Sequence, residues 1–321
     1  MTSDVQPAAG GWRTVPETGT VLGIRFVAWL LRAFGRRVVG TFLYVLCVYY
    51  ALLHGTARRA SREYLELAGR SAKFFDVVRH LHHFAQVAAD RLLFLTGDWR
   101  SLRIEHHGHA FIEEAVHSGK GALLLGAHVG SFDAMRALAE NHDVPMNVVA
   151  DFSNAARINR VFGQLAPASK LRVISLSNDT ESSPVTTILA IKAAIARGEL
   201  VAILADRHDG NPSRTVEVPC FGHPARFPIG PWVLAHALGC PLYFVAGLYT
   251  KPNRYDLYCE PFLSEVRLAR GKREESMRPL VSKYAERVEH HARLAPYNWF
   301  NFFDFWSKLP VEKNEGKVES S

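Results

Sequence analysis

Two short apolar runs constrain the fold more than anything else in the chain. ALLLG at 122–126 is bounded by Gly121 and Gly126, and LVAIL at 200–204 opens into the polar loop ADRHDG. Five apolar residues between turn-formers read as a strand buried on both faces. Helical patterns separate these runs from others like them. Phe132–Glu140 reads as a helix, Met146–Ala150 as a strand, Ala155–Leu165 as a helix, Arg172–Leu176 as a strand and Val185–Arg197 as a helix. Such alternation predicts an α/β fold whose mixed, largely parallel sheet is flanked by helices. Further on, Pro231–Leu238 and Glu274–Arg293 read as helices, and Pro241–Tyr249 and Tyr255–Cys259 as strands. Residues 63–118 read as helical and amphipathic. Phe221–Pro231, rich in Gly and Pro, reads as a structured loop walling a cleft.

Before the α/β pattern lies a segment of different character. From Val38 to Ala57 no residue is charged if His54 is neutral. As a helix this run reaches about 30 Å, the thickness of a bilayer core. Arg36 and Arg37 close one end, and Arg58, Arg59 and Arg62 the other. It starts too late for a signal peptide and lacks a small-residue cleavage site. Two readings compete: a helix inserted in a membrane, or one buried against the body of the protein. Arginines on both flanks give no orientation. Residues 1–62 hold eight arginines against Asp4 and Glu17, which accounts for +6 of the net charge of +7. Positive charge beside apolar residues suits anionic headgroups. It does not suit nucleic acid, which needs Lys and Arg spread along a binding face. The expected organisation is a basic, apolar membrane-associated segment over 1–62, an α/β domain over 63–310 and a disordered tail over 311–321.

The residues able to do chemistry cluster after the apolar runs. In GALLLGAHVGSFDAM (121–135), His128 and Asp133 are five apart. On one continuous helix they would point about 140° apart. A strand ending at Gly126 and a turn at Gly130 instead allow Asp133 to reach back to His128. The carboxyl ends of strands are where open α/β sheets bind ligands. A neutral imidazole can take a proton from a hydroxyl near pH 7, and a carboxylate on its other nitrogen fixes the tautomer. Backbone N–H groups around Gly130 and Ser131 are the expected oxyanion donors. After the second run, Asp206 is expected to act electrostatically or by hydrogen bonding, and Arg207 to contact a phosphate or carbonyl. Each cluster also has a bland reading, as a solvated polar loop.

HVGSFD at 128–133, ADR at 205–207 and FGHPARFPIGPWVLAHALGCPL at 221–242 together resemble the bacterial lipid A biosynthesis acyltransferases, within the wider lysophospholipid acyltransferase superfamily. GRR at 35–37, ARRASREYL at 57–65 and the aromatic stretch PYNWFNFFDFW extend the likeness over roughly residues 20–306. The resemblance implies transfer of a fatty-acyl group from acyl-carrier protein or acyl-CoA to a hydroxyl of a lipid or glycolipid acceptor. It implies no metal or redox cofactor, and a place on the cytoplasmic face of the bacterial inner membrane. It implies His128 as base, Asp133 as its partner, and Asp206 and Arg207 in the site. Many lipid A members carry Asn-Trp-Glu where this chain has Ser131, Phe132 and Asp133. In this the chain looks more like members associated with aryl polyene lipids.

Other features fit either a functional or a structural reading. Seven aromatics between Tyr297 and Trp306 suit an acyl groove, a membrane interface or a terminal element docked on the core. Histidines at 80, 82 and 83 and at 106, 107 and 109 lack a metal-site spacing. Cys47, Cys220, Cys240 and Cys259 form no CxxC pair and read as reduced thiols. There is no GxSxG elbow, phosphate loop or dinucleotide fingerprint. A catalytically silent lipid-binding protein and an acyl thioesterase remain the alternatives.

Overall fold

The structure is a computed structural model describing residues 21–141, 144–150, 172–175 and 184–306. The helix expected at Ala155–Leu165 and the tail over 311–321 lie outside these residues. The described chain opens with three helices, α1 (Val21–Leu53), α2 (Gly55–Leu67) and α3 (Phe74–Thr96). Strand β1 (Arg103–His107) and α4 (His109–His117) precede β2 (Ala122–Gly126), α5 (Phe132–Asn141), β3 (Met146–Ala150) and β4 (Arg172–Ser175). Then come α6 (Pro184–Ala196), β5 (Leu200–Leu204), β6 (Thr215–Cys220) and β7 (His223–Pro228). Helix α7 (Gly230–Leu238), β8 (Leu242–Lys251), β9 (Arg254–Leu263) and α8 (Arg273–Leu294) complete the order.

Seven strands form one sheet in the order β1-β9-β8-β2-β5-β3-β4. Only the β8–β9 pairing is antiparallel, so the sheet is mixed and mostly parallel, as the sequence predicts. Alternation along the central strands divides the core. Leu123, Leu125, Val201 and Ile203 pack on α6, α7 and α8 through Ile191, Trp232 and Tyr284. Ala122, Leu124, Leu200 and Ala202 face Ala115, Val116, Phe132 and Met135 of α4 and α5. Leu123, Leu124 and Val201 are wholly buried; each such side chain contributes roughly 1.5–3 kcal/mol.

Two expectations are corrected. The stretch 63–118 is not helical throughout, because β1 joins the edge of the sheet beside β9. Its sequence RIEHH is mostly exposed and carries no apolar alternation to announce it. The segment containing Phe221 is not a plain loop but the turn of a hairpin. β6 and β7 pair in antiparallel fashion around Phe221 and Gly222. Both turn residues have positive φ, 53° and 77°, as a type I′ turn requires.

Helix α1 breaks at Gly35, whose φ of 74° and ψ of 176° fall in a region open essentially to glycine alone. The break turns Arg36 inward. Its guanidinium makes two 2.7 Å bonds to the buried Asp90 of α3 and a third hydrogen bond to Asn253. Past the break, Val39, Leu43, Cys47 and Ala51 recur every four residues and are buried. The opposite face leaves Phe42, Val45, Leu46, Tyr49, Leu52 and Leu53 exposed. Leu22–Leu53 is long and apolar enough to cross a membrane, yet one stripe of it is seated on the body. The boundary expected at 62/63 falls inside α2.

Candidate active site

Sheet register builds the site. Gly126 pairs with Leu204 in the parallel β2–β5 ladder, and Ala205 N–H donates to the Gly126 carbonyl at 3.0 Å. His128 and Asp206 each stand two residues past that paired rung, so the two loops meet at the carboxyl edge. The Asp206 carboxylate accepts from His128 Nδ1 at 2.7 Å and from the His128 backbone N–H at 3.0 Å. Trp299 Nε1 also donates to it, at 3.2 Å. Among the described residues His128 Nε2 has no hydrogen-bond partner, and the side chain is 29% exposed.

The structure does not bring the expected pair into a hydrogen bond. Asp133 lies in the first turn of α5 and pairs with Arg91 at 3.4 Å and Arg136 at 3.7 Å. The carboxylate on the His128 ring is Asp206, which comes from a strand 78 positions away.

The N–H groups expected as oxyanion donors have partners within the protein. Gly130 N–H donates to Asn298 O at 2.8 Å, and Ser131 N–H to Gly247 O at 2.6 Å. Ser131 is buried, and its hydroxyl caps α5 by accepting from Ala134 N–H at 3.1 Å. Gly130, at φ 74°, lies so close to Gly247 that a Cβ would strike the Gly247 carbonyl. These two residues hold the loop against β8 and have no N–H left for a ligand.

Arg207 follows Asp206 directly in the chain. Its Nη2 donates to the Phe300 carbonyl at 2.8 Å, and the guanidinium lies 5.6 Å from the Phe303 ring centroid. Its Nε is buried without a hydrogen-bond partner among the described residues. Beyond it the loop turns structural: His208 accepts from Gly210 N–H, and Asp209 pairs with Arg214.

The electrostatics set the protonation states. Burial pushes His128 down from its ordinary value and Arg207 pushes the same way, outweighing the pull of Asp206. Burial alone would raise Asp206, but His128 and Arg207 hold it below the usual carboxylate range. Near neutral pH the ring is therefore neutral and the carboxylate ionised. A carboxylate can only accept, so Nδ1 carries the proton and Nε2 presents a lone pair. That is the form a general base needs.

The sequence reading did not place the aromatic segment here. Trp299 pairs with Val129 in an antiparallel bridge, and Phe300 N–H donates to His128 O at 2.9 Å. The Asn298 amide exchanges hydrogen bonds with the Tyr249 backbone, at 2.8 Å and 2.9 Å. The segment is the clamp behind the His128 loop. The histidines of the 80–83 cluster point apart: His80 toward Trp299, His82 toward Gly40, and His83 against Tyr249 and Tyr297. Among the described residues no His, Cys, Asp or Glu group is placed to hold a metal ion, and the four cysteines are free and buried.

No curated protein matches the chain. The profile of the family described as bacterial lipid A biosynthesis acyltransferase matches residues 83–308. That span holds the His128 loop, the Asp206 loop and the aromatic clamp that joins them. The chain belongs to this family, and it is an acyltransferase.

Proposed function

We propose that this acyltransferase moves a fatty-acyl group from a thioester to a hydroxyl of a lipid or glycolipid, with His128 as general base. The observation that carries the reading is the 2.7 Å bond from His128 Nδ1 to the buried Asp206. It leaves Nε2 as the only ring atom able to take a proton. In the reaction, Nε2 takes the acceptor hydroxyl proton while that oxygen attacks the thioester carbonyl carbon. The imidazolium so formed is stabilised by Asp206. The tetrahedral oxyanion is met by the positive guanidinium of Arg207, the residue after Asp206. Collapse breaks the carbon–sulfur bond, and the leaving thiolate recovers the proton from Nε2.

Family membership supports a lipid A-type acceptor. Ser131, Phe132 and Asp133 at the loop suit an acceptor of the aryl polyene type within that class. The donor is acyl-carrier protein or acyl-CoA. A crevice lined by Ile112, Met135 and Leu257 and also by His106, His107 and His109 is the proposed place for the acyl chain; Met135 lies two residues past Asp133 on α5. The exposed side of α1 and the arginines of residues 1–62 support attachment to a membrane surface; the cytoplasmic face of the inner membrane is the face that the resemblance implies. With one stripe seated on the body, α1 is better suited to lie in the interface than to cross alone.

The test is transfer of labelled acyl chains from acyl-carrier protein or acyl-CoA into total membrane lipid, comparing wild type with His128→Ala. A labelled lipid made only by wild type is expected, and its mass identifies the acceptor. Full activity in His128→Ala would overturn the mechanism. Free fatty acid as the sole product would make the protein a thioesterase, and no product of any kind would leave lipid binding as its role.

A further inference from the structure

Asp206 does not stand alone behind His128; a line of buried polar groups stands behind it. Trp299, wholly buried, donates its indole N–H to Asp206 Oδ2. The backbone carbonyl of Trp299 faces His80 Nε2 at 2.9 Å. His80 Nδ1 in turn meets the Ser61 hydroxyl at 2.8 Å. His80 and Ser61 are both wholly buried. A carbonyl only accepts, so His80 Nε2 must carry the proton. Burial holds the His80 ring far below its ordinary value, at about 4, so the ring is neutral. Nδ1 then accepts from Ser61 O–H, and every group in the line has its direction fixed.

We propose that Trp299 and His80 are positioning residues that set the basicity of His128 by holding Asp206. The inference rests on the reading of His128 as base. An indole N–H on Asp206 Oδ2 draws off part of the carboxylate charge that stabilises the imidazolium. It also fixes the carboxylate plane, so that Oδ1 aims at Nδ1. His80 acts one step back. It ties the Trp299 backbone to α3, while Tyr64, Phe221, Phe305 and Trp306 surround the indole. Ser61 extends the line to α2, beside the N-terminal helix. Among the described residues, the titratable groups facing His128 and Asp206 are each other, Arg207, Tyr284 and Cys220. Of these, Tyr284 donates to Gly126 O at 2.7 Å, and burial pushes both Tyr284 and Cys220 up, leaving them neutral near pH 7.

The experiment compares full-length wild type, Trp299→Phe, His80→Leu and His80→Gln. The His128 titration is followed by NMR of histidine-labelled protein, assigned against His128→Gln, and kcat and KM are measured against pH. Trp299→Phe removes the donor and keeps an aromatic ring. It is expected to move the His128 titration upward by up to about one pH unit, since one charge-assisted hydrogen bond is lost. The acid limb of kcat/KM should follow. His80→Leu is expected to lower kcat about tenfold with KM unchanged, on the scale of a misplaced catalytic group. In His80→Gln the amide N–H replaces Nε2–H, so kcat should recover. Identical His128 titrations in folded wild type and Trp299→Phe would overturn the proposal, as would equal losses in His80→Leu and His80→Gln. The titration needs no substrate. If wild type transfers no acyl group, the reading of the reaction fails while the NMR result still decides the positioning line.

Discussion

Two buried carboxylates, Asp90 and Asp206, are each wholly enclosed and each accept several hydrogen bonds, yet they do opposite things. Asp90 receives a bidentate pair from Arg36, the Tyr255 hydroxyl at 2.7 Å and the Gln86 amide at 3.2 Å. Its main partner is the permanent cation of Arg36. Asp206 faces a ring that can gain or lose a proton, and the far side of that ring is open. One carboxylate fastens α1 to α3. The other holds a titratable ring with one nitrogen free, the proposed base. Burial and saturation alone do not mark a functional group; the titratable partner and its free atom do.

The sharpest way to break this comparison is to make each carboxylate lose its charge or its partner. Asp206→Asn keeps the shape but can no longer hold Nδ1–H against an anion. The loss expected in kcat is about 10³–10⁴-fold, the scale seen when a buried orienting carboxylate is neutralised. Arg36→Met leaves Asp90 buried and uncompensated, which costs about 3–5 kcal/mol of stability. Thermal unfolding should show that loss while kcat per folded molecule stays near wild type. Swapped outcomes, with Asp206→Asn mainly unstable and Arg36→Met mainly inactive, would reverse the assignment.

The same contrast shows what was legible in the sequence. β2 and β5 were readable because both their faces are buried, so apolar residues fill every position. β1 was not, since an exposed edge strand needs no apolar pattern. The β6–β7 hairpin was hidden by Pro219, Pro224 and Pro228, although Val216, Val218 and Cys220 alternate inward. In the site, His128 was readable from the strand that ends just before it. Its partner was not. A spacing of five drew attention to Asp133, whereas the contact is set by the β2–β5 register, which no local motif encodes. Trp299 and His80 carried no signal beyond an aromatic-rich stretch and a histidine cluster.

Asp133 then supplies a finer test, read in pH rather than in total loss. Burial lowers the His128 pKa from its ordinary 6.5, so the ring is neutral at pH 7. Activity in wild type should therefore be flat around pH 7 and fall only at pH values below the ordinary histidine range. Asp206→Asn removes the anion that favours the imidazolium, so its residual activity should hold to still lower pH. Asp133 is balanced by Arg91 and Arg136, so Asp133→Asn should change the rate while leaving the acid limb within a few tenths of a unit, on the scale of weak charge coupling. An acid limb moved by Asp133→Asn and unmoved by Asp206→Asn would restore Asp133 as the partner of His128.

The smallest effect concerns a third enclosed carboxylate, Glu199, at the opposite end of β5 from Asp206. Arg197 hydrogen-bonds it at 2.8 Å and 2.9 Å, and Asn147 and Arg172 add bonds at 2.7 Å and 2.8 Å. Hydrogen bonds from Arg197 outweigh burial and, with Asn147 and the charge of Arg172, bring Glu199 from 4.5 to about 2. A carboxyl depressed in the folded state stabilises the fold above its unfolded pKa, and that contribution is lost as pH falls through the folded value. Stability should therefore decline between pH 4.5 and about 2 with uptake of one proton at this site, and Glu199→Gln should flatten that part of the curve. Both arginines are more than half exposed, so solvent screens much of the attraction and the change should be modest. Urea unfolding from pH 5 to pH 2 measures it. An unchanged slope in Glu199→Gln would mean that the cluster holds no charge worth counting.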